Sequence, residues 1–162
     1  MLLPMCHLVQ LAKRRFCRPL VIWAKADNGQ FVRAGMSILI EQYPYLDIST
    51  PSESNFVWFI SSADPGVLTS HCGVSDPPAL GRVLLDNAMV LSQNAGLFGR
   101  MGLHAAAAAG PGLLTVYAKC GLLRLPVTAA LPKSIRRKND GRFFYADEPV
   151  AEALVALLDS AR

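Results

Sequence analysis

A chain of 162 residues is long enough for one ordinary domain with a real core, so a single domain spanning 1–162 is expected. Hydrophobic residues at 52% against charged residues at 17% exclude a disordered chain, and no run reaches the uncharged apolar length of a membrane helix. A net charge of +4 is too modest to define a nucleic-acid binder by itself.

The cations gather at Lys13-Arg14-Arg15 with Arg18, and at Lys133 with Arg136-Arg137-Lys138. Both clusters read as solvated basic segments in preference to a nucleic-acid face, because no aromatic residues interleave in the second. The first cluster follows apolar residues instead of preceding them, which is the wrong order for a signal peptide, and a cytoplasmic protein with no membrane partner is expected. Four irregularly spaced cysteines, Cys6, Cys17, Cys72 and Cys120, then read as free thiols. The pairs Cys6-His7 and His71-Cys72 lack the usual ligand spacing of a zinc site, so no metal is expected.

Met5, Leu8, Val9, Ala12 and Phe16 share one face at helical spacing, predicting an amphipathic helix that packs on a sheet and stops at Arg18-Pro19. Leu20 to Ala26 and Gln30 to Tyr43 are β-prone and joined by Asp27-Asn28-Gly29, a hairpin turn in which Asn-Gly tolerates positive φ. Gly35 marks a bulge or a break in the longer arm. A polar connection from Asp47 to Asn55 leads to Phe56-Val57-Trp58-Phe59-Ile60, continuously apolar like a central strand covered on both faces. Ala63 to Pro78 reads as a long loop in which His71 is either solvated or in contact with a substrate.

The most informative stretch runs from Ala79 to Gly121. Ala79-Leu80-Gly81-Arg82 places small residues at the entrance to a helix whose face is Leu80, Val83, Leu84, Ala88 and Leu91, closed by Gly96 as C-cap. A loop of small residues feeding a helix N-terminus presents outward amides with partial positive charge behind them, a site for a pyrophosphate. A short strand, Gly99 to Ala105, and a second helix ending Tyr117-Ala118-Lys119-Cys120-Gly121-Leu122 follow. Leu122 to Leu131 supplies a strand, Asn139-Asp140-Gly141 a turn, and Gly141 to Ala146 the last strand. Asp147-Glu148-Pro149 opens a closing helix with Val150, Leu154, Leu157 and Leu158 inward.

This order of elements and the Tyr117-x-Lys119-x-Gly121-Leu122 ending resemble the GCN5-related N-acetyltransferases (GNAT), most strongly over Phe56 to Arg124. The resemblance implies an α+β fold: a mixed, mostly antiparallel central sheet with splayed central strands, flanked by helices. It implies acetyl-CoA as cosubstrate, with Phe59, Ile60 and Ser61 pairing the pantetheine through their backbone and Ala79, Leu80, Gly81 and Arg82 cradling the pyrophosphate. Tyr117 would be the acid that protonates the leaving thiolate, and the product an N-acetylated amine carried by a small molecule, a peptide or an aminoacyl-tRNA. A homodimer is compatible with this reading. The chain departs from the family pattern at Asp76, where a cation or amide is usual, at Ala79, which replaces a glycine, and at Gly110, which replaces an asparagine. The alternative these departures leave open is a GNAT-like binding or regulatory module without turnover.

No carboxylate or histidine stands on Phe56 to Ser62 to serve as general base. Glu41, Asp47, His104 and a water chain are all candidates; for His104 a structural, hydrogen-bonded role is the stronger expectation.

Overall fold

In the computed structural model, residues 17–26, 28–49, 51–73, 80–133, 135 and 138–159 are described. Strand β1 (Cys17–Lys25) and strand β2 (Phe31–Pro44) form the expected hairpin, followed by β3 (Glu53–Ser62), helix α1 (Pro65–Cys72) and helix α2 (Leu80–Asn94). Strand β4 (Met101–His104), a 3-10 turn at Ala107–Ala109, helix α3 (Gly112–Lys119), β5 (Leu123–Arg124), β6 (Phe143–Ala146) and α4 (Glu148–Asp159) complete the chain. The sheet order is β1-β2-β3-β4-β6-β5, antiparallel throughout except for the parallel β3–β4 junction. This is the mixed, mostly antiparallel α+β sheet flanked by helices that the resemblance implies. The predicted N-terminal helix over Met5 to Phe16 lies outside the described residues.

Alternation along the strands divides the core into two layers. Leu39, Val57, Leu103 and Phe144 face the helices and pack with Leu85, Ala88 and Met89 of α2 and with Ala151 and Val155 of α4. Their neighbours Ile40, Phe56 and Phe143 face the other way, against Leu46, Leu125 and Ile135. Full burial of side chains such as Phe143 and Phe144 contributes about 1.5–3 kcal/mol each. Gly99, at φ +75°, admits α4 closely: a Cβ there would stand 2.5 Å from the Cβ of Ala151.

Three expectations need correction. The stretch from Ala63 to Pro78 is not all loop, because Asp64 caps a helix by accepting from the Gly66 amide, Pro65 stands in the first turn and Gly73 ends it in the left-handed conformation. The strand expected over Leu122 to Leu131 is only Leu123–Arg124, since Pro126 cannot donate to a ladder and turns the chain. On α4 Val150 and Leu154 pack against the core as expected, but the buried positions are Ala151 and Val155 and Leu157 is exposed; the helix packs on the narrow space that Gly99 leaves, which favours a small residue at its closest point.

Candidate functional site

The central strands separate after a short contact. β3 and β4 pair only at Asn55 with Met101, Phe56 with Gly102 and Val57 with Leu103. β4 stays paired with β6 on its other edge throughout, from Met101 with Ala146 to His104 with Phe143, while β3 continues along β2 to Ser62. The edge of β3 that faces β4 therefore has no strand partner from Phe59 to Ser62 among the described residues, which leaves backbone donors and acceptors to be satisfied by something else.

The separation coincides with a bulge. Leu39 pairs with Val57 and the adjacent Ile38 with Phe59, so Trp58 is an extra residue on β3. A bulge bends its strand and re-aims the residues beyond it. Phe56 and Trp58 keep to the layer away from the helices, Ile60 packs toward the helices, and Phe59 is 43% exposed. The expectation that this strand is covered on both faces therefore fails at Phe59, and Ser61 is exposed as well.

Helix α2 begins at that same end of β3. Leu80 packs with Ala34 and Leu68, against Ala63 just beyond β3. One turn later Leu84 lies over Gly35, whose Cβ, if present, would be 3.3 Å from Leu84 Cδ1 and 3.4 Å from the Ser61 carbonyl oxygen. The first-turn amides of α2, at Leu80, Gly81, Arg82 and Val83, have no intrahelical acceptor and form the positive end of the helix dipole. Gly81 has no neighbouring atom within 4 Å of where its Cβ would be. Ala79 lies outside the described residues, as does Asp76. The Arg82 side chain turns toward α4 and lines a cavity of about 10 Å³ with Leu85, Met89, Cys120 and Leu154; its Nε is buried without a hydrogen-bond partner among the described residues.

Tyr117 is 5% exposed. Its ring lies 5.5 Å from that of Phe144, within the layer that contains Val57, Leu103 and Ala105 and against which Ile60 packs. Burial, and secondarily the nearby Cys120, pushes its phenol above the ordinary range. Tyr117 and the diverging strands thus share one apolar layer. Neither the cavity beside Arg82 nor the cleft lined by Gln93, Phe98 and Glu152 includes Tyr117, Phe59, Ile60 or Ser61.

The base candidates are distributed unevenly around this site. Glu41 is paired with Arg18 at 2.8 Å, and Asp47 accepts from the amide and hydroxyl of Ser49 in a turn. His71 is exposed near the end of α1, beside the buried Cys72. His104 stands at the apex where the strands part, with Nε2 3.1 and 3.0 Å from the two carboxylate oxygens of Asp140 and its ring 4.5 Å from Phe143. Partial burial alone would raise the Asp140 carboxyl, but the hydrogen bonds from His104 and from the Arg142 amide hold it below the usual range. Arg142 itself donates to the carbonyls of Ala105, Ala106 and Gly110, fixing the loop that leads to α3. Neither Asp140 nor Arg142 stands out in the sequence, since a turn-forming Asp and a lone Arg give no sign of partners more than thirty residues earlier. Among the described residues no group of three or more His, Cys, Asp or Glu is placed to hold a metal ion.

No protein-family model matches the sequence, and no curated protein matches it. The fold itself is shared with solved structures. The KacTA–DNA complex superposes with a TM-score of 0.56 at 12% identity, over 86% of this chain and 73% of that one. A Tyr-to-Phe variant of the AtaT toxin bound to the C-terminus of the antitoxin AtaR superposes with a TM-score of 0.55 at 14% identity, over 93% of this chain and 78% of that one. The likeness covers nearly all of the chain and lies in its path through space, with few residues in common.

Proposed function

We propose that this protein is an acetyl-CoA-dependent N-acetyltransferase acting by direct attack of an amine on the thioester. The observation that carries this reading is the meeting of the edge of β3 without a strand partner among the described residues, from Phe59 to Ser62, with the N-terminus of α2. An extended pantetheine arm has the donors and acceptors to complete that edge as a further strand, and its pyrophosphate suits the first-turn amides of α2. Phe59, Ile60 and Ser61 would hold the arm, while Leu80, Gly81 and Arg82, with Ala79 before them, would hold the phosphates through their backbone.

The chemistry asked of the chain is modest. As the nitrogen–carbon bond forms, backbone amides at the bulge are suited to stabilise the oxyanion. As the carbon–sulfur bond breaks, Tyr117 would donate its proton to the thiolate. A phenol is protonated at neutral pH and matches the basicity of the leaving thiolate well enough to act as its acid, although burial, by pushing the pKa of Tyr117 up, weakens it in that role.

The acceptor amine would be carried by a small molecule, a peptide or an aminoacyl-tRNA. The structural neighbours are a toxin bound to its antitoxin and a complex bound to DNA, which supports testing macromolecular partners, a second copy of the chain included, beside small amines.

A second reading, a GNAT-like module that binds without turnover, is favoured by the deep burial of Tyr117 at 5% exposure. Calorimetric titration with acetyl-CoA and CoA tests the first step of both. Absence of heat with either ligand would sink the cofactor site, and binding without transfer to any amine would leave the module.

A further inference from the structure

The sheet brings one titratable side chain to the point where its central strands part. Val57 and Leu103 are the last parallel pair; the next residues are the bulged Trp58 on β3 and His104 on β4. On β4, Gly102 faces Phe56 and Leu46, so by strand alternation His104 shares that face, and Trp58 packs in the same layer. Paired strands lie about 4.8 Å apart, so the apex is one side chain wide, and His104 occupies its β4 side.

The histidine is held in a form suited to accepting a proton. Nε2 is engaged by both oxygens of Asp140, an ionised carboxylate that can only accept, so in the neutral imidazole the hydrogen lies on Nε2 and the lone pair on Nδ1. Nδ1 makes no hydrogen bond with any described residue. Asp140 is itself fixed by the Arg142 amide, between an Asn139 that donates to the carbonyls of Pro126 and Ala129 and a Gly141 whose carbonyl accepts from Arg124. That is more restraint than an exposed turn needs. Of the charged groups on the segment packed against the ring, Asp140 faces it and Arg142 is turned away to the carbonyls of Ala105, Ala106 and Gly110. β3 contributes none between Trp58 and Ser62.

We propose that His104, oriented by Asp140, is the general base of the transfer, taking the proton of the attacking amine on Nδ1 while Asp140 stabilises the imidazolium. The inference rests on the acetyltransferase reading. In the step, the amine nitrogen bonds to the acetyl carbon, the carbon–sulfur bond breaks, the amine proton passes to His104, and the thiolate takes the Tyr117 proton. Proton exchange of both side chains with water resets the site.

The test uses the full chain with acetyl-CoA, following thiol release with a panel of primary amines and with water as the default acceptor, alongside calorimetric CoA binding. His104→Gln, whose amide can still donate to Asp140, is expected to lower kcat by about a hundredfold or more and to leave CoA affinity within about threefold. The wild-type rate should rise with pH along a limb that the variant loses. In Asp140→Asn the limb should move to lower pH, because the imidazolium loses its carboxylate, a shift that a merely structural tether would not produce. Free imidazole should restore part of the rate to His104→Gly. A His104→Gln enzyme with wild-type kcat and pH profile overturns the proposal, and so does CoA binding with no thiol release by the wild type under any acceptor. Failure of CoA to bind removes the acetyltransferase reading itself, and this proposal with it.

Discussion

Leu84 of α2 fills the space that Gly35 of β2 leaves open, with 3.3 Å between Leu84 Cδ1 and the place a Cβ would take. The contact sets how closely the first turns of α2 approach the sheet. Because the Ser61 carbonyl lies 3.4 Å from the same point, it also sets the distance from the helix to the free edge of β3. Gly35→Val should wedge the two apart, destabilising the fold by about 1–3 kcal/mol and reducing the rise in melting temperature given by CoA. Adding Leu84→Ala to that variant should recover part of the ligand effect. Urea unfolding and thermal shift measure the two quantities, and a full ligand shift in Gly35→Val would detach the helix position from binding.

Gly81 offers a cleaner test of the phosphate site, since nothing lies within 4 Å of its missing Cβ. In a helix, Val and Gly differ by only a few tenths of a kcal/mol in propensity. Gly81→Val should therefore leave the melting temperature of the free protein nearly unchanged while abolishing the rise caused by CoA, which depends on ligand affinity for the native state. An undiminished rise would move the ligand away from the start of α2.

Tyr117→Phe separates catalysis from packing. The ring of Phe can keep the 5.5 Å contact with Phe144, so only the proton donor is removed. Turnover should fall by roughly ten- to a thousandfold, with CoA affinity intact by calorimetry. Equal turnover in the two proteins would assign the hydroxyl to the core alone.

Alkaline stability should also report on the buried phenols. Tyr45, whose hydroxyl donates to the Ala146 carbonyl at 3.4 Å, Tyr117 and Tyr145 all have pKa values raised primarily by burial. A group whose folded pKa lies above its unfolded value contributes stability that is fully present below the unfolded value, about 10 for tyrosine. That contribution is lost as pH rises through the folded value. The unfolding free energy should decline from about pH 10 upward, with tyrosinate absorbance appearing together with the loss of circular dichroism. Ionisation of Tyr45, Tyr117 and Tyr145 before any unfolding would contradict the burial. Tyr45→Phe should shift the decline to higher pH.

The parts of this architecture that were legible in the sequence are those governed by local chemistry. Asn28-Gly29 specified the hairpin, Gly96 the end of α2, and Glu148-Pro149 the start of α4, because each acts through the backbone of its immediate neighbours. The helix at Pro65–Cys72 had a local signal too, in Asp64 as cap with Pro65 behind it, but a mean pattern of Thr, Ser, His and Gly obscured it. Register could not be read in this way. The bulge at Trp58 lies in an uninterrupted apolar run, where a residue that pairs and a residue that is skipped look the same, so the exposure of Phe59 had no precursor in the pattern. The Asp140–His104 contact was equally hidden, since it depends on how β6 returns beside β4.

The three residue pairs that join β3 to β4 are the whole hydrogen-bonded seam between two ribbons, β1–β3 and β4–β6. Across it, Asn55 is tied to the Arg100 carbonyl through its amide and to the Ala88 carbonyl of α2 through its side chain. Among the described residues the rest of the junction is apolar packing under α2 and α4, with the Tyr45 hydroxyl on the Ala146 carbonyl at the other face. Mechanically, such a sheet is a hinge whose leaves are each stiff and whose pin is short. A strand-like ligand laid along the free edge would lengthen the pin, so the protein would be most rigid when the cleft is filled and would breathe chiefly at the seam when it is empty.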